Sequence, residues 1–384
     1  MKHGTSALQP LVQAVDLACR VVEQLRAVVT SLLVCLVIGV SGSWPAAADP
    51  RNGEGLGALV PVPPGVTASF AVYDRQHHQF TAVRHPHARF RAASVVKLLI
   101  ALDYLLQHDP VLDLDQASTD QQRMTILALR TMLRGSWDYA ASVLWVRGGY
   151  TDVIERMTAL INLPDTSPPS PQQRGYWGYT LTSAADVVTI YQYILDRAPS
   201  KYRDFIIGNL HAATRCAEDG RNQYFGIPQA FARPWGIKQG WSGWGATVPP
   251  EQRCFEDRAN IGEFAGPVPA SKEPPHPPPD LLSPLLHTTG TIGDDQRSIL
   301  VVFTTYPQHT TWPQATKNIT HLCRTLSPLV PDNAPNRVLL HRRGTGGMRP
   351  LSRHLWVPKT SVPCRDLRCK GRSRGRRSAA GCSS

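Results

Sequence analysis

Short runs rich in β-branched and aromatic residues at 68–74 (ASFAVYD) and 79–84 predict two strands, with 75–78 as the turn of an antiparallel hairpin. The period then lengthens. From Ser94, the stretch SVVKLLIALDYLL places apolar residues at helical spacing as far as about 107. Thr119, followed three residues later by Gln122, predicts a capped start for a second helix, QQRMTILALRTMLR. The loop Gly135-Ser136-Trp137-Asp138 leads to a helix that stops at Gly148-Gly149, and another helix spans 151–161. Prolines and glycines mark 163–180 as a loop. Thr182 is the expected cap of an amphipathic helix, SAADVVTIYQYILDR, and 201–213 reads as one more. Strand signals return at 234–241, 286–291 and 298–305, the last two joined through Gly293-Asp294-Asp295, and a helix over 313–326 closes the pattern.

Two strands, a block of helices, three strands and a final helix make one mixed α+β domain, in which the first and last strands must meet in a single sheet. The expected architecture is an antiparallel sheet of about five strands flanked by helices, with an inserted all-helical subdomain, over 60–328. The chain has 384 residues, 42% hydrophobic and 18% charged, which is enough apolar material for a sizeable core. That excludes a wholly disordered chain, a collagen and a multi-span membrane protein.

The formal net charge of +12 invites a nucleic-acid reading until its location is considered. Residues 336–384 hold 13 Lys and Arg against Asp366, whereas 49–335 hold 25 bases and 26 acids. The body is electrically neutral and offers no basic footprint, so no nucleic-acid partner is expected for it. The tail (336–384) is basic, rich in Gly, Ser and Arg, and without periodicity, and is expected to be disordered. It reads either as an attachment to an anionic surface or polymer or as a solvated extension with no partner. At the other end, 27–40 is an uncharged apolar run of 14 residues, preceded by Arg20 and Arg26 and followed by Ala46-Ala47-Ala48. It is short for a membrane span and suits a secretory signal over 1–48 or an uncleaved anchor. Cys35 lacks the small residue expected before a lipidated cysteine, so no lipid anchor is expected. Either reading puts the body outside the cytoplasm, at the cell envelope.

Three cysteines, Cys216, Cys254 and Cys323, belong to the body, and none has metal-ligand spacing, so neither a metal nor another cofactor is expected. In an oxidising compartment a Cys216–Cys254 bridge is plausible, both residues sitting in irregular segments on either side of one predicted strand. Cys323, inside a predicted helix, reads as a small buried hydrophobe.

Candidate chemistry begins at Ser94-Val95-Val96-Lys97, a hydroxyl and an amine three positions apart at a helix start. Residues i and i+3 share a helical face, so the amine can reach the hydroxyl. Free backbone N–H groups and the positive end of the helix dipole suit a developing oxyanion there. A serine hydroxyl needs a neighbouring base, and a desolvated lysine can serve. Taken alone the pattern is weak, since a helix cap beside a solvated lysine looks the same. Two later features strengthen it: Ser136-Trp137-Asp138 in a tight loop between helices, and Lys238-Gln239-Gly240 on a predicted inner strand, where a lysine among apolar neighbours needs a reason, the alternative being an edge-strand lysine that faces water.

In that order, S-x-x-K, S-x-[ND] and K-x-G resemble the penicillin-recognising serine hydrolases, which include class A β-lactamases and the DD-peptidases or transpeptidases. The resemblance spans about 68–326. It implies Ser94 as the nucleophile, Lys97 as the acylation base, Ser136 as a proton relay to the leaving group and Lys238 as a holder of a substrate carboxylate. It further implies substrate contacts from Asp138, Gln239, Gly240 and Trp241, with the backbone N–H groups of Ser94 and Trp241 as the oxyanion hole. Three departures are visible. The first two motifs lie 42 residues apart, less than is usual in the family, so the helical subdomain is trimmed. Asp138 stands for the usual Asn, and Gln239 for the usual Thr or Ser. No E-x-x-x-N occurs between 151 and 182, where the acids are Asp152, Glu155 and Asp165, of which only Asp165 lies in the loop. Efficient class A β-lactamase activity is therefore not expected.

Two readings of function stay open, with a third through the tail. The first is an exported serine acyl-enzyme acting on an amide or ester with a nearby carboxylate, such as a peptidoglycan-type peptide or a β-lactam. The second is a catalytically weak or inactive version of the fold that binds cell-wall peptides or a partner protein. The third is a basic-tail binder of anionic polymers with the body incidental. Tyr176, Trp177, Tyr179, Trp241 and Trp244 could line a groove or pack a core, with Trp241 and Trp244 as cleft-rim residues, and Arg174 is either a carboxylate contact or an exposed loop residue.

Overall fold

A computed structural model describes residues 54–245, 247–255 and 282–331. The expected signal (1–48), the proline-rich insertion around 273–280 and the basic tail lie outside the described residues. The described elements are α1 (Glu54–Ala58), β1 (Thr67–Asp74), β2 (Gln79–Arg84), β3 (Phe90–Arg91), α2 (Lys97–His108), α3 (Asp120–Arg134), α4 (Asp138–Arg147) and α5 (Asp152–Ile161). After them come β4 (Leu181–Thr182), α6 (Ala184–Asp196), α7 (Ser200–His211), α8 (Ile227–Ala230), β5 (Trp235–Ser242), β6 (Leu285–Ile292), β7 (Ser298–Thr305) and α9 (Trp312–Leu326). Among the described residues no helix is long and apolar enough to cross a membrane.

The fold is α+β. Five antiparallel strands run in the order β2-β1-β7-β6-β5, so the first hairpin and the last three strands do share one sheet. Because successive side chains point to opposite faces, each central strand serves two cores. Ala71 and Tyr73 of β1, with Ile299, Val301 and Phe303 of β7, pack with the helical block. Phe70, Val72, Leu300 and Val302 pack instead with Ile319, Leu322, Cys323 and Leu326 of α9. At the centre of the helical block lies α2, buried from Lys97 through Leu105. Each fully buried Leu or Ile there stabilises the fold by about 1.5–3 kcal/mol. A bidentate pair, Arg156 Nε and Nη2 to Asp103 Oδ1 and Oδ2 at 2.8 and 2.7 Å, fixes α5 against α2.

Most expected boundaries hold, and the exceptions have physical reasons. The Thr119–Gln122 capping box is formed at the start of α3. The helix expected from Ser94 opens instead as a 3₁₀ turn, Ala93–Val96, and becomes α-helical at Lys97. The expected cap Thr182 is one residue early: Thr182 pairs with Phe90 in the short β3–β4 ladder, and Ser183 Oγ accepts from the Asp186 N–H at 3.1 Å. The strand that carries Lys238 is not an inner one. It is β5, at the edge of the sheet, and the turn before α2 packs against it.

The loop after α5 is tied down at its base. Asp186 Oδ2 accepts from the Asp165 N–H at 3.0 Å and from Thr166 Oγ1 at 2.6 Å, and Asp165 Oδ2 meets Ser183 Oγ at 2.8 Å and His87 Nδ1 at 2.7 Å. Burial pushes the Asp186 carboxyl up to about 6. Cys216 and Cys254 form a disulfide, and Cys323 is fully buried in α9, where burial pushes its thiol up.

The bridge closes a ring with a sequence separation of 38 residues. On the chain-entropy estimate, removing it with Cys216→Ser and Cys254→Ser costs about 3–4 kcal/mol. Urea unfolding of the two forms is expected to differ by that much, and equal midpoints would show that the ring contributes nothing to stability.

Candidate active site

Ser94 sits in the tight turn Ala93–Val96, closed by the Val95 N–H donating to Ala92 O at 3.0 Å. The residue before it, Ala93, has φ 44°, a left-handed backbone that a side chain disfavours. The same turn abuts β5. A Cβ built on Gly240 would lie 3.1 Å from Ala92 O and from Val95 Cγ2, so the absence of a side chain at Gly240 allows the strand to approach the Ser94 turn.

Lys97 is the most constrained group in the cluster. It is fully buried, and its Nζ lies 2.8 Å from Ser94 Oγ, 2.6 Å from Ser136 O, 2.6 Å from Asp138 Oδ1 and 3.2 Å from Ser136 Oγ. The Ser136 carbonyl and the Asp138 carboxylate can only accept. They consume two N–H donors, and what remains on the nitrogen, a third proton or a lone pair, is directed at the two hydroxyls. Burial lowers the Lys97 pKa, while the Asp138 charge and hydrogen bond, and more remotely the Asp219 charge, push it back up.

Ser136 lies in the loop between α3 and α4 with φ 58°, the second left-handed residue at the site. Strain of this kind costs about 1–3 kcal/mol and persists where surrounding contacts over-determine it. Its hydroxyl lies between two amines, 2.8 Å from Lys238 Nζ and 3.2 Å from Lys97 Nζ. Lys238 is 1% exposed although β5 is an edge strand. Its pKa is driven well down by burial and by the neighbouring Lys97 charge, with partial relief from Asp138. A chain Tyr191 Oη···Thr289 Oγ1→Lys238 O, at 3.0 and 2.6 Å, holds the backbone of Lys238 from below.

Four predicted residues from three distant segments, Ser94, Lys97, Ser136 and Lys238, thus converge, and Asp138 joins them through Lys97. The other predicted contacts differ. Gln239 is not available to a substrate: it is fully buried on the opposite side of β5, with Nε2 donating to the carbonyls of Gln223 and Phe225 at 3.0 and 2.8 Å. The alternation that points Lys238 into the cluster turns its neighbour away. Trp241 is half-buried and donates from Nε1 to Asp219 Oδ2 at 2.8 Å. Trp244 donates to Leu285 O and stacks edge-on with Trp312 and Tyr306, so it packs as much as it lines. Arg174 is exposed and lies over the Tyr150 ring.

One candidate groove aromatic gains a definite contact, and one further residue a role that the sequence did not assign. The Trp177 ring stands 4.6 Å from Lys97 Nζ, a cation–π contact that covers the amine from the loop side. Asp219, on the segment stapled by Cys216, is tied to Trp241 and has Arg221 Nε at 3.6 Å. Nothing in the local pattern around 215–221 signals Asp219. Asp165, the acid expected in the loop, is engaged by His87 and Ser183 at the loop base. Among the described residues, Asp138 alone provides a carboxylate hydrogen-bonded to the cluster.

No protein-family model matches the chain. Proteins called "Putative lipoprotein LppW" in Mycobacterium bovis and Mycobacterium tuberculosis are 33% identical over 186 residues, 46% of this chain. The chain spans about half the length (54%) of these curated relatives. Solved structures similar to it include PBP-A (TM-score 0.47, 13% identity, 71% of this chain and 92% of that one). Class A β-lactamases are also among them, from Bacteroides cellulosilyticus (0.47, 12%, 69% and 92%) and Mycobacterium abscessus (0.45, 13%, 68% and 93%). At these TM-scores the likenesses carry no weight for function, which has to be argued from the side chains.

Two buried lysines that share one hydroxyl work against folding, and Lys238, with Ser136 Oγ at 2.8 Å and Gln239 O at 3.5 Å, gives up hydration for few partners. Lys238→Met is therefore expected to leave stability unchanged or raise it by about 1–3 kcal/mol, in denaturant melts. A loss above about 2 kcal/mol would mean that the amine is a net structural tie.

Proposed function

We propose that the protein is a serine acyl-enzyme, a hydrolase or transferase of an amide or ester, with Ser94 as the nucleophile. One observation carries this reading: Lys97 Nζ lies 2.8 Å from Ser94 Oγ while two of its donors are bound to groups that can only accept. A neutral Lys97 then presents its lone pair to the Ser94 hydroxyl. As Oγ attacks the carbonyl carbon, its proton passes to Lys97 Nζ, and the carbonyl electron pair moves to oxygen beside the backbone N–H groups of Ser94 and Trp241. Collapse of that intermediate breaks the bond to the leaving nitrogen or oxygen, which takes the Ser136 hydroxyl proton. Ser136 is reprotonated from the flanking amines. A water or amine acceptor then releases the acyl group by the reverse sequence. Burial of both lysines supports this cycle, since a lowered pKa leaves more of the free amine at neutral pH.

The Trp177 ring beside Lys97 Nζ, with Asp138 the one carboxylate hydrogen-bonded to the cluster among the described residues, supports slow hydrolysis and a long-lived acyl-enzyme. Export to the cell envelope, with a peptide of the peptidoglycan type or a β-lactam as substrate, belongs to the same proposal. The lipoprotein name of the curated relatives supports the location. A second reading has its own support. The 2.6 Å Lys97–Asp138 ion pair favours a protonated, idle amine, as in a binding protein that keeps the fold without the chemistry.

Intact-mass analysis after incubation with penicillin, a D-Ala-D-Ala ester and a fluorophosphonate is expected to show a single adduct at Ser94, lost in Ser94→Ala. No adduct from any of the three, together with ligand binding that survives Ser94→Ala, would establish the binding reading instead. Trp177→Glu is expected to shorten the lifetime of the acyl-enzyme roughly 10²-fold, the usual worth of a placed general base. An unchanged lifetime would remove Trp177 from the account.

A further inference from the structure

The last residue of α3 and the two that follow it, Arg134, Gly135 and Ser136, carry carbonyls beyond the reach of the helix's own N–H groups. Each is held by another part of the chain. Arg134 O accepts from Gln223 Nε2 at 2.7 Å and from the Thr214 N–H at 3.2 Å. Gly135 O accepts from the Glu218 N–H at 2.9 Å, and Ser136 O from Lys97 Nζ at 2.6 Å. Three successive carbonyls are fixed from outside, the over-determination that a left-handed Ser136 requires.

Two of those three carbonyls are held by one irregular segment, 214–223. It folds back on itself through the Ala217 N–H to Arg221 O and the Gln223 N–H to Arg215 O, both at 2.9 Å, and Cys216 ties it to Cys254. Gln223 stands at its centre: the residue is 2% exposed, and the same Nε2 also donates to Thr214 O at 2.7 Å. The backbone of Gln223 is held in turn by β5. Gln239 Nε2 donates to Gln223 O at 3.0 Å and to Phe225 O at 2.8 Å, while among the described residues Gln239 Oε1 has no partner. A continuous path therefore runs from β5 through Gln239 and Gln223 to the carbonyl two residues before Ser136. The other face of the same strand presents Lys238, whose Nζ meets the Ser136 hydroxyl at 2.8 Å and closes the ring.

We propose that Gln223 is a positioning residue for Ser136. By holding Arg134 O, with Gln239 fastening its own backbone to β5, it sets the Ser136 hydroxyl at contact distance from Lys238 Nζ. The inference rests on the acyl-enzyme reading and deepens it, by naming what keeps the proton donor of the leaving group in place. In that step the bond from Ser94 Oγ to the acyl carbon has formed and the bond from that carbon to the leaving oxygen breaks. The Ser136 proton passes to the leaving oxygen, and Lys238 is the nearest amine to restore it. A displaced donor slows this step most where the leaving oxygen is most basic, and least where it departs as a stable anion.

The test compares phenyl acetate with p-nitrophenyl acetate, which deliver the same acyl group and differ in leaving-group basicity. A fluorophosphonate reports the Ser94 nucleophile itself. The rate of Ser94 acylation by each ester is divided by that ester's rate with hydroxide. Gln223→Met keeps the length of the side chain and loses its donor. In that variant the p-nitrophenyl to phenyl ratio is expected to rise by about 10-fold or more, in the same direction as in Ser136→Ala, as part of the roughly 10²- to 10⁴-fold worth of a placed proton donor. A crystal structure of the variant is expected to show Ser136 Oγ out of hydrogen-bond reach of Lys238 Nζ. Loss of folded protein slows both esters by one factor and leaves the ratio alone. Should Gln223→Met fail to fold, Gln239→Met carries the same expectations, since it removes an unpaired buried acceptor along with the donor. An unmoved ratio, or Ser136 unmoved in the crystal structure, overturns the inference. So does labelling of Ser94 by the fluorophosphonate when neither ester reacts. Labelling by none of the three reagents overturns the acyl-enzyme reading and the inference with it.

Discussion

The burial of one amine sets the terms for the rest of the site. Lys97 is placed on the innermost helix of the body, where an ammonium cannot remain without partners, and every structural decision around it supplies one. The Ser94 turn brings a hydroxyl, the α3–α4 loop brings a carbonyl and a second hydroxyl, and the first residue of α4 brings a carboxylate. Removing any of these leaves a polar group without its hydrogen bond inside a dry core. The cluster is therefore a constraint on folding, and it brings the helical block into contact with β5 through Ser136 and Lys238.

The sheet contributes rigidity to the cluster as well as the Lys238 amine. Its strands are buried on both faces, between the helical block and α9, so β5 has little freedom to shift relative to Ser94. An edge strand normally leaves a side chain in water; here the turn before α2 covers it, and the bare Cα of Gly240 permits the close contact. The disulfide acts at longer range. It holds the irregular segment that carries Asp219, which has no regular secondary structure to fix it.

Features set by neighbours in the chain could be read from the sequence; features set by how the chain returns on itself could not. The capping box at Thr119 and the i, i+3 pair of Ser94 and Lys97 are local. The lysine at 238 is legible because an amine in an apolar run needs a partner on an inner strand and water on an edge strand. The position of β5 at the edge was hidden, since strand order is not encoded in any one segment. Thr182 and Ser183 are both good caps, and only the two-residue ladder with Phe90 decides between them. The orientation of Gln239 follows from strand alternation and was legible, but the resemblance to a motif in which that position contacts substrate outweighed it. Trp177 reaches Lys97, and Asp219 reaches Trp241, from irregular loops, where no periodicity records the direction of a side chain.

The two left-handed residues are not equivalent in evolutionary terms. At position 93 a glycine would relax the backbone and lose only a methyl group, so the strain there is open to repair by a single change. At position 136 the same repair deletes the hydroxyl held between the two amines. A chain that keeps Ser136 in this loop also keeps its unfavourable torsion, so the strain and the hydroxyl between the two amines are retained or lost together.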